Sequence, residues 1–384
     1  MIPYSRQDVT EEDIQAVCRV LRSDFLTQGP TIDAFERAFA GRHRVANAVA
    51  VSNATAGLQI ACLALDVGPG SRVWTSPNSF IASANCALYC GATIDFVDID
   101  PRTRNMSVQA LEDKLLRAAP AGTLPQVVIP VDFAGLPADL REIRELADRY
   151  GFKILEDASH ATGASYLDRP TGSDFADATV FSFHAVKIIT TAEGGIVATR
   201  DKRLAERMRQ LRTHGMTRNP LEMERDCEGA WYYEQQSLGF NFRMTDVQAA
   251  LGLSQLARLD DMRSSREKLA DRYDRLLAGF PLLRPPRLAD RRSSWHLYVV
   301  EVDETRTPRA RAHVFDQMRK AGIGVNVHYI PIHTQPFYAR LGFRRGDFPA
   351  SEAYYSRAIS IPLFPALTEG QQDRVVEALA GALA

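Results

Sequence analysis

The sequence predicts an α/β fold with a large domain on a mostly parallel sheet and a smaller α/β domain after it. Between about residues 53 and 200, short β-branched runs alternate with longer helical patterns. Each run leads into a polar or glycine-rich loop, and a second α/β pattern starts near Trp295. A length of 384 residues suits two domains. We place the N-terminal segment and large domain at 1–250, and the connecting helix and small domain at 251–384.

The predicted elements follow in chain order. The first is a helix with Thr10 as its cap and Asp13 three residues later, a weaker form of the capping box. The large domain contributes six strand candidates, and amphipathic stretches lie between several of them. The helices are predicted at Thr10–Arg22, Leu58–Leu65, Leu140–Tyr150, Asp201–Arg212, Thr245–Arg275 and Arg309–Ala321, and the strands at Arg72–Thr75, Thr93–Val97, Gln126–Val131, Lys153–Asp157, Thr179–Phe183, Gly195–Thr199, His296–Val302 and Val325–Tyr329.

Composition excludes several functional classes. The formal net charge of −1 gives no electrostatic basis for binding nucleic acid or a membrane surface. The N-terminus lacks a basic stretch followed by an apolar run, and no segment approaches 18 uninterrupted apolar residues, so we expect a cytosolic protein. Five cysteines without a second Cys/His pair predict reduced, mostly buried thiols and no metal site.

Lys187 is the first candidate for chemistry. It follows the strand that ends near Ser182 and lies within the apolar stretch Phe183–Ile189. A surface lysine with its stem along apolar residues is the plain alternative. A lysine desolvated beside a cofactor instead makes its amine available for imine formation, as carbonyl chemistry with pyridoxal 5′-phosphate (PLP) requires.

An acid at a strand end supplies a second requirement of PLP chemistry. Asp157 closes the run Lys153–Asp157, at the carboxyl edge of the sheet, where ligands of parallel sheets collect. Its carboxylate could pair with the pyridine nitrogen and strengthen the ring as an electron sink; a helix cap is the alternative. Glu156 is the competing acid, but strand alternation places it on the opposite face.

Three further positions complete the candidate site. The stretch Ser52–Gly57 precedes a helical pattern, so Thr55 and Ala56 could present a hydroxyl and amides to a phosphate. Phe80 could stack on a planar ring, although core packing explains it equally well. His160 could reach the cofactor's phenolic oxygen or hold the aspartate; a histidine satisfied in the core is the alternative. No GxGxxG follows a strand, which disfavours a dinucleotide site.

Over essentially its whole length the sequence resembles the sugar aminotransferases of PLP fold type I, the family that includes the DegT/StrS group. Such a resemblance implies a large domain with a seven-stranded, mostly parallel sheet and a smaller C-terminal α/β domain. The stretches that carry it are Thr27–Pro30, Ser52–Gly57, Glu156–His160, Ser182–Gly195, Gly239–Met244 and His328–His333.

The resemblance also implies residue roles. Lys187 forms the Schiff base with PLP, Asp157 binds the ring nitrogen, and Phe80 stacks on the ring. His160 stands where many members have Gln, and we count it with Lys187 and Asp157 as catalytic. Further roles are implied for phosphate contacts from Thr55, Ala56 and Ser182, for Asn241 reaching the phosphate across a homodimer interface, and for nucleotide-sugar contacts from Tyr4, Thr27, Arg243, His328 and Tyr329.

Within the family the sequence looks most like the transaminases of pseudaminic acid biosynthesis. The expected reaction moves an amino group from glutamate, leaving 2-oxoglutarate, to the C4 ketone of a UDP-linked 4-keto-6-deoxy-N-acetylhexosamine. The run Ser360–Pro365 instead resembles the aminotransferase that makes UDP-4-amino-4-deoxy-L-arabinose. Another nucleotide-linked 4-keto sugar, including the D-xylo epimer, therefore stays open as the substrate. A PLP-dependent sugar dehydratase or a noncatalytic PLP-binding regulator fits less well, because Lys187 is present and the sequence starts close to its first helix.

Overall fold

The computed structural model describes all 384 residues and contains a seven-stranded sheet in the order β1-β9-β8-β5-β4-β2-β3. The five strands from β8 to β3 are parallel, and β9 runs antiparallel to both β8 and β1. The strands of the molecule are β1 Asn47–Val51, β2 Arg72–Thr75, β3 Thr93–Phe96, β4 Val127–Ile129, β5 Lys153–Asp157, β6 Ser165–Tyr166, β7 Arg169–Pro170, β8 Ala178–Ser182, β9 Gly195–Thr199, β10 Met216–Thr217, β11 Glu234–Gln235, β12 Leu282–Leu283, β13 Arg291–Arg292, β14 Tyr298–Val302 and β15 Ala358–Ile361.

Helices cover both faces of the large sheet and form most of the C-terminal region. Their apolar residues and the strands bury a core on each side of the sheet, and a separate core lies among β12, β14, β15 and the last helix. The helices are α1 Glu11–Leu21, α2 Pro30–His43, α3 Ala54–Ala64, α4 Ala82–Tyr89, α5 Val108–Ala118, α6 Leu140–Tyr150, α7 Lys202–Leu211, α8 Asp246–Ala257, α9 Leu259–Leu276, α10 Arg311–Lys320, α11 Pro336–Ala339, α12 Pro349–Arg357 and α13 Glu369–Leu383.

Most of the predicted elements are confirmed within one or two residues. One half of the predicted capping box at Thr10 forms, because the Asp13 carboxylate accepts from the Thr10 amide at 3.0 Å, while the Thr10 hydroxyl makes no hydrogen bond. Strands β2, β5 and β9 and helix α6 have the predicted bounds. The mostly parallel large sheet is confirmed as well. None of the helices combines the length and the apolar character needed to cross a bilayer.

Three predicted elements are wrong in detail. The helix predicted at Leu58–Leu65 begins earlier, at Ala54, because Asn53 caps it. The long helix Thr245–Arg275 is two helices, because the backbone leaves helical geometry at Arg258, where φ is −102° and ψ is 10°. The strand Val325–Tyr329 does not form: only Asn326 makes a bridge, to Ser360. After Asn326 the chain turns its side chains into a cavity instead of extending along β15.

Buried charges join the C-terminal region to the large sheet. Arg104, after β3, pairs with Glu301 of β14, and Glu301 also pairs with Arg357 at 2.9 Å. The Asp98 carboxylate accepts from the amides of Ala350 and Ser351 at the start of α12, at 2.9 and 3.0 Å. A carboxylate at a helix N-terminus satisfies amides that have no intrahelical partner. These contacts fix α12 and β14 beside the carboxyl edge of the sheet. The domain boundary at residue 250 stays a prediction.

Candidate active site

A cavity of about 810 Å³ lies at the carboxyl edge of the large sheet. It is lined by residues that follow β1, β2, β5 and β8, by Tyr4 near the N-terminus, and by the segment after Asn326. Ligands of open α/β sheets bind at this edge because the loops that leave parallel strands converge there. Nine of the predicted site residues line this one cavity: Tyr4, Thr55, Phe80, Asp157, His160, Ser182, Lys187, His328 and Tyr329.

Lys187 projects into this cavity from the loop between β8 and β9. The Thr191 amide and the Thr190 hydroxyl both donate to the carbonyl of Phe183, at 2.9 and 3.2 Å, which closes the loop tightly around the lysine. The Lys187 ammonium makes no hydrogen bond or ion pair to the protein. Burial lowers the pKa of Lys187 to about 8, against the opposing effect of the Asp157 charge. A desolvated amine with a lowered pKa and no protein partner is suited to nucleophilic chemistry.

Asp157 ends β5 on the floor of the cavity and is almost fully buried. The Ser83 hydroxyl donates to its Oδ2 at 2.6 Å, and the Ser159 amide donates to its Oδ1 at 3.1 Å. Glu156 points to the other face of the sheet, where it accepts from the Thr179 hydroxyl at 2.6 Å. The alternation expected along the strand therefore separates the two acids, and only Asp157 lines the cavity.

The N-terminus of α3 forms the anion-binding end. Asn53 caps the helix by accepting from the Ala56 amide at 2.9 Å, so this amide already has a partner. The amides of Ala54 and Thr55 precede the first intrahelical bond and stay available, as does the Thr55 hydroxyl. Gly195 allows this geometry, since a Cβ there would lie 2.8 Å from the Ala54 nitrogen. Because the Ala56 amide already donates to Asn53, it is less available to a phosphate than the sequence predicted.

Three buried histidines line the cavity together with Lys187. His160 accepts from the Ala134 amide at its Nδ1, at 3.2 Å, and its Nε2 lies 3.0 Å from the Tyr329 hydroxyl. His328 lies 2.7 Å from the Ser360 hydroxyl, and the His296 ring is 4.4 Å from that of His160. Burial first, and then the Lys187 charge or a neighbouring histidine, lowers the pKa of each, that of His328 to about 3. All three imidazoles are therefore neutral near pH 7.

Phe80 and Tyr4 form the apolar walls of the cavity. Phe80 is 56% exposed, which a core residue would not be, and its ring lies 6.4 Å from that of Tyr329. The Tyr4 ring is 5.7 Å from that of His328. An exposed aromatic ring beside the cavity is available to stack on a planar ligand.

Four predicted residues do not line this cavity. Ala56 lies next to Thr55 in α3, whereas Thr27, Asn241 and Arg243 lie elsewhere. Arg243 lines a second cavity of about 440 Å³ with Gln28 and Arg212. Arg243 makes no ion pair within the chain. Asn241 is exposed and bridges Thr213 through the backbone. Thr27, Asn241 and Arg243 could serve a Lys187 site only from another protomer, and their roles stay predictions.

Sequence reasoning missed other cavity residues, including Asn53, Ser159, His184, Glu193, His296 and Asn326. Asn53 and Ser159 each adjoin a predicted position, so a closer reading of those turns could have found them. His296 carried no such signal, because it lies in an apolar run that predicts a core strand.

The side chains of the cavity fit PLP. The Asp157 carboxylate accepts only two hydrogen bonds from the protein, so it can also face a ring nitrogen. The free amides at the N-terminus of α3 can hold a phosphate. The unpaired Lys187 amine can bind a carbonyl carbon. These three groups line a single cavity.

Comparison with known proteins agrees with this assignment. Residues 7–380 match the sequence model of the DegT/DnrJ/EryC1/StrS aminotransferase family. The spore coat polysaccharide biosynthesis protein SpsC of Bacillus subtilis is 40% identical over 381 residues, which cover 98% of this chain and 96% of SpsC.

Solved structures show the same fold over the whole chain. PseC of Helicobacter pylori, an aminotransferase involved in the biosynthesis of pseudaminic acid, is 31% identical with a TM-score of 0.90, covering 100% of this chain and 99% of PseC. The Streptococcus pneumoniae protein Spr1654 in its PLP form is 30% identical with a TM-score of 0.88, covering 100% of both chains.

Proposed function

The chain belongs to the DegT/DnrJ/EryC1/StrS aminotransferase family, and we propose that it moves an amino group from glutamate to the C4 ketone of a UDP-linked 4-keto-6-deoxy-N-acetylhexosamine. It is a PLP-dependent sugar aminotransferase, and the sugar and the donor are the proposed part. The observation that carries the proposal is the unpaired Lys187 ammonium, which shares one cavity with Asp157 and the start of α3.

When bound, PLP supplies an aldehyde that takes up an amino group and a ring that withdraws electrons from the reacting carbon. Asp157 would hold the ring nitrogen protonated, while Ser83 and Ser159 keep its carboxylate oriented. The Ala54 and Thr55 amides and the Ser182 hydroxyl would hold the phosphate. With a pKa near 8, the Lys187 amine can take and return a proton at Nζ close to neutral pH.

The assignment of the sugar rests on likeness to PseC and on the character of the cavity. Tyr4, His328 and Tyr329 line it as apolar rings with polar tips, which suits a sugar that carries both a methyl and an acetamido group. The unpaired Arg243 would pair with the diphosphate. Because SpsC is 40% identical to this chain and PseC 31%, another nucleotide-linked 4-keto sugar is the second candidate substrate.

The proposal includes a homodimer with shared active sites. The positions of Asn241 and Arg243 support it, because both lie outside the Lys187 cavity of their own chain and could reach a site only in a partner. The segment between β10 and β11 also exposes apolar side chains, with Leu221 94% and Trp231 71% exposed. Large exposed apolar groups of this kind mark association surfaces. Mixing inactive Lys187→Ala and Arg243→Ala proteins should restore turnover if sites are shared. Two inactive proteins that stay inactive after mixing would contradict it.

The substrate is best tested by comparing two epimers. The purified protein receives the L-arabino and the D-xylo forms of the UDP-linked 4-keto-6-deoxy-N-acetylhexosamine, each with glutamate, and 2-oxoglutarate release is measured. We expect kcat/KM to favour the L-arabino epimer. Equal use of both would remove the case for a dedicated pseudaminic acid enzyme, and turnover only with a 4-keto pentose would favour the second candidate.

A further inference from the structure

The hydrogen bonds of His160 use both of its ring nitrogens inside the protein. Nδ1 faces the backbone amide of Ala134 at 3.2 Å, and that amide can only donate. Nε2 faces the hydroxyl of Tyr329 at 3.0 Å. His160 is almost fully buried, so water does not compete for either nitrogen. Neither nitrogen is left to contact a bound molecule directly.

The amide of Ala134 decides which nitrogen carries the proton. Because Nδ1 accepts, the single proton of a neutral imidazole must sit on Nε2. The ring is neutral, because burial, and after it the Lys187 charge, lower the pKa of His160 well below its usual value. His160 therefore donates from Nε2, and the Tyr329 oxygen accepts.

The direction of this bond leaves the hydroxyl proton of Tyr329 without a protein acceptor. The Tyr329 hydroxyl makes no other hydrogen bond in the structure, and its ring is held between the rings of Phe133 and His328. The phenol stays protonated near pH 7, since burial, together with the Asp157 charge, raises the pKa of Tyr329 far above its usual value. Tyr329, Lys187 and Asp157 line the same cavity.

We infer that Tyr329, oriented by His160, is the hydrogen-bond donor to the phenolic oxygen of PLP, and that His160 is a positioning residue that acts through Tyr329. This inference rests on the proposed function for the identity of the bound group. It replaces the direct contact between His160 and the phenolic oxygen that the sequence suggested.

Substitutions at His160 distinguish the direction of the bond from its mere presence. In His160→Gln, the side-chain carbonyl accepts from Ala134 and the amide group donates to Tyr329, which reproduces the native arrangement. In His160→Glu, an ionised carboxylate only accepts, so the Tyr329 proton turns towards it and away from the ligand. Tyr329→Phe removes the donor with little change of shape. Tyr338→Phe is the matched control, because it loses a buried hydroxyl, bonded to Asn85, outside the Lys187 cavity.

The affinity for PLP is measured by spectroscopic titration of each apoprotein, after circular dichroism shows that it folds. We expect His160→Gln to stay within about threefold of the native Kd. His160→Glu and Tyr329→Phe should each weaken binding by about tenfold or more, which is the usual worth of a hydrogen bond to a charged acceptor. Tyr338→Phe should match the native protein. If His160→Glu binds PLP as tightly as His160→Gln, or Tyr329→Phe as tightly as Tyr338→Phe, the inference is overturned.

The histidine tautomer is read separately, without cofactor or substrate. In protein labelled with 15N-histidine, the ring signals that disappear in His160→Gln belong to His160, and we expect a protonated Nε2 and an unprotonated Nδ1. Protonation at Nδ1 would overturn the inference. Failure of the native protein to bind PLP would instead overturn the proposed function, while these signals would still decide the direction of the bond to Tyr329.

Discussion

The two faces of β5 hold adjacent carboxyl groups in opposite surroundings. Asp157 faces the cavity, accepts from Ser83 and Ser159, and has the Lys187 ammonium nearby. Glu156 faces the other side, fully buried beside Asp132. Burial, and then the repulsion of the two acids, raises the pKa of Asp132 well above its usual value, and burial raises that of Glu156 to about 7.

The difference shows how one strand separates chemistry from structure. Oδ2 of Asp132 and Oε1 of Glu156 find no other donor, so the two acids must share a proton to avoid a buried charge without compensation. Asp157 has two hydrogen-bond donors and the Lys187 ammonium nearby, so its carboxylate can pair with a ligand. Substitutions on the cavity face should therefore alter activity, and substitutions on the Glu156 face should alter stability.

The largest expected effect is on the cavity face. Lys187→Ala should lower kcat by about 10⁴-fold or more, because the amine that binds the carbonyl and carries protons is lost. The melting temperature should hold or rise, since Lys187 makes no hydrogen bond that the fold would lose. Lys187→Arg is the matched control, which keeps a cation but not a reactive amine, and it should be equally inactive. Turnover at the native rate in the Ala variant would contradict the assignment.

On the Glu156 face we expect an effect of pH on stability. The folded pKa of about 7 lies above the unfolded value of about 4.5, so the contribution of Glu156 is complete below pH 4.5 and is lost as pH rises through 7. Between pH 5 and 8, titration of Glu156 should lower the free energy of unfolding of the native protein by on the order of 1–3 kcal/mol, at about 1.4 kcal/mol per pKa unit. The Glu156→Gln variant should not show this fall. Its amide can still donate to Asp132.

Urea titrations at the two pH values measure this effect. Glu145→Gln, on the exposed face of α6, is the control and should keep the native pH dependence. If the stabilities of Glu156→Gln and Glu145→Gln depend on pH equally, Glu156 is not the group whose titration makes stability depend on pH.

The sequence predicted this arrangement unevenly. Asp157 could be predicted because it ends one apolar strand, and Lys187 because it follows another, since strand ends can be recognised from local pattern. The separation of Glu156 from Asp157 followed from the two-residue period of a strand. Edge strand β1 was missed, because its alanines weaken the β-branched signal in Asn47–Val51. The break at Arg258 was missed because no Gly or Pro marks it.

Contacts between distant segments could not be predicted. Asp132 as the partner of Glu156 depends on how β4 pairs with β5, and Arg104 as the partner of Glu301 joins residues 197 positions apart. His296 lines the cavity because the segment before β14 packs against His160, in the loop after β5. Local patterns specify elements and their ends, whereas tertiary packing decides which buried polar groups meet.

The smallest expected effects lie in the support of Asp157. Ser83 donates to Asp157, and the Ser79 hydroxyl, 2.6 Å from that of Ser83, can donate to Ser83 in turn. A bond to an ionised carboxylate is worth about 1.5 kcal/mol or more, so Ser83→Ala should weaken PLP binding by about tenfold. Ser79→Ala removes a neutral bond one step away and should weaken it by about threefold. Spectroscopic titration measures both. A larger effect of Ser79→Ala than of Ser83→Ala would mean that Ser79 contacts the ligand itself. The hydrogen bonds that support Asp157 would then not explain the difference between the two faces of β5.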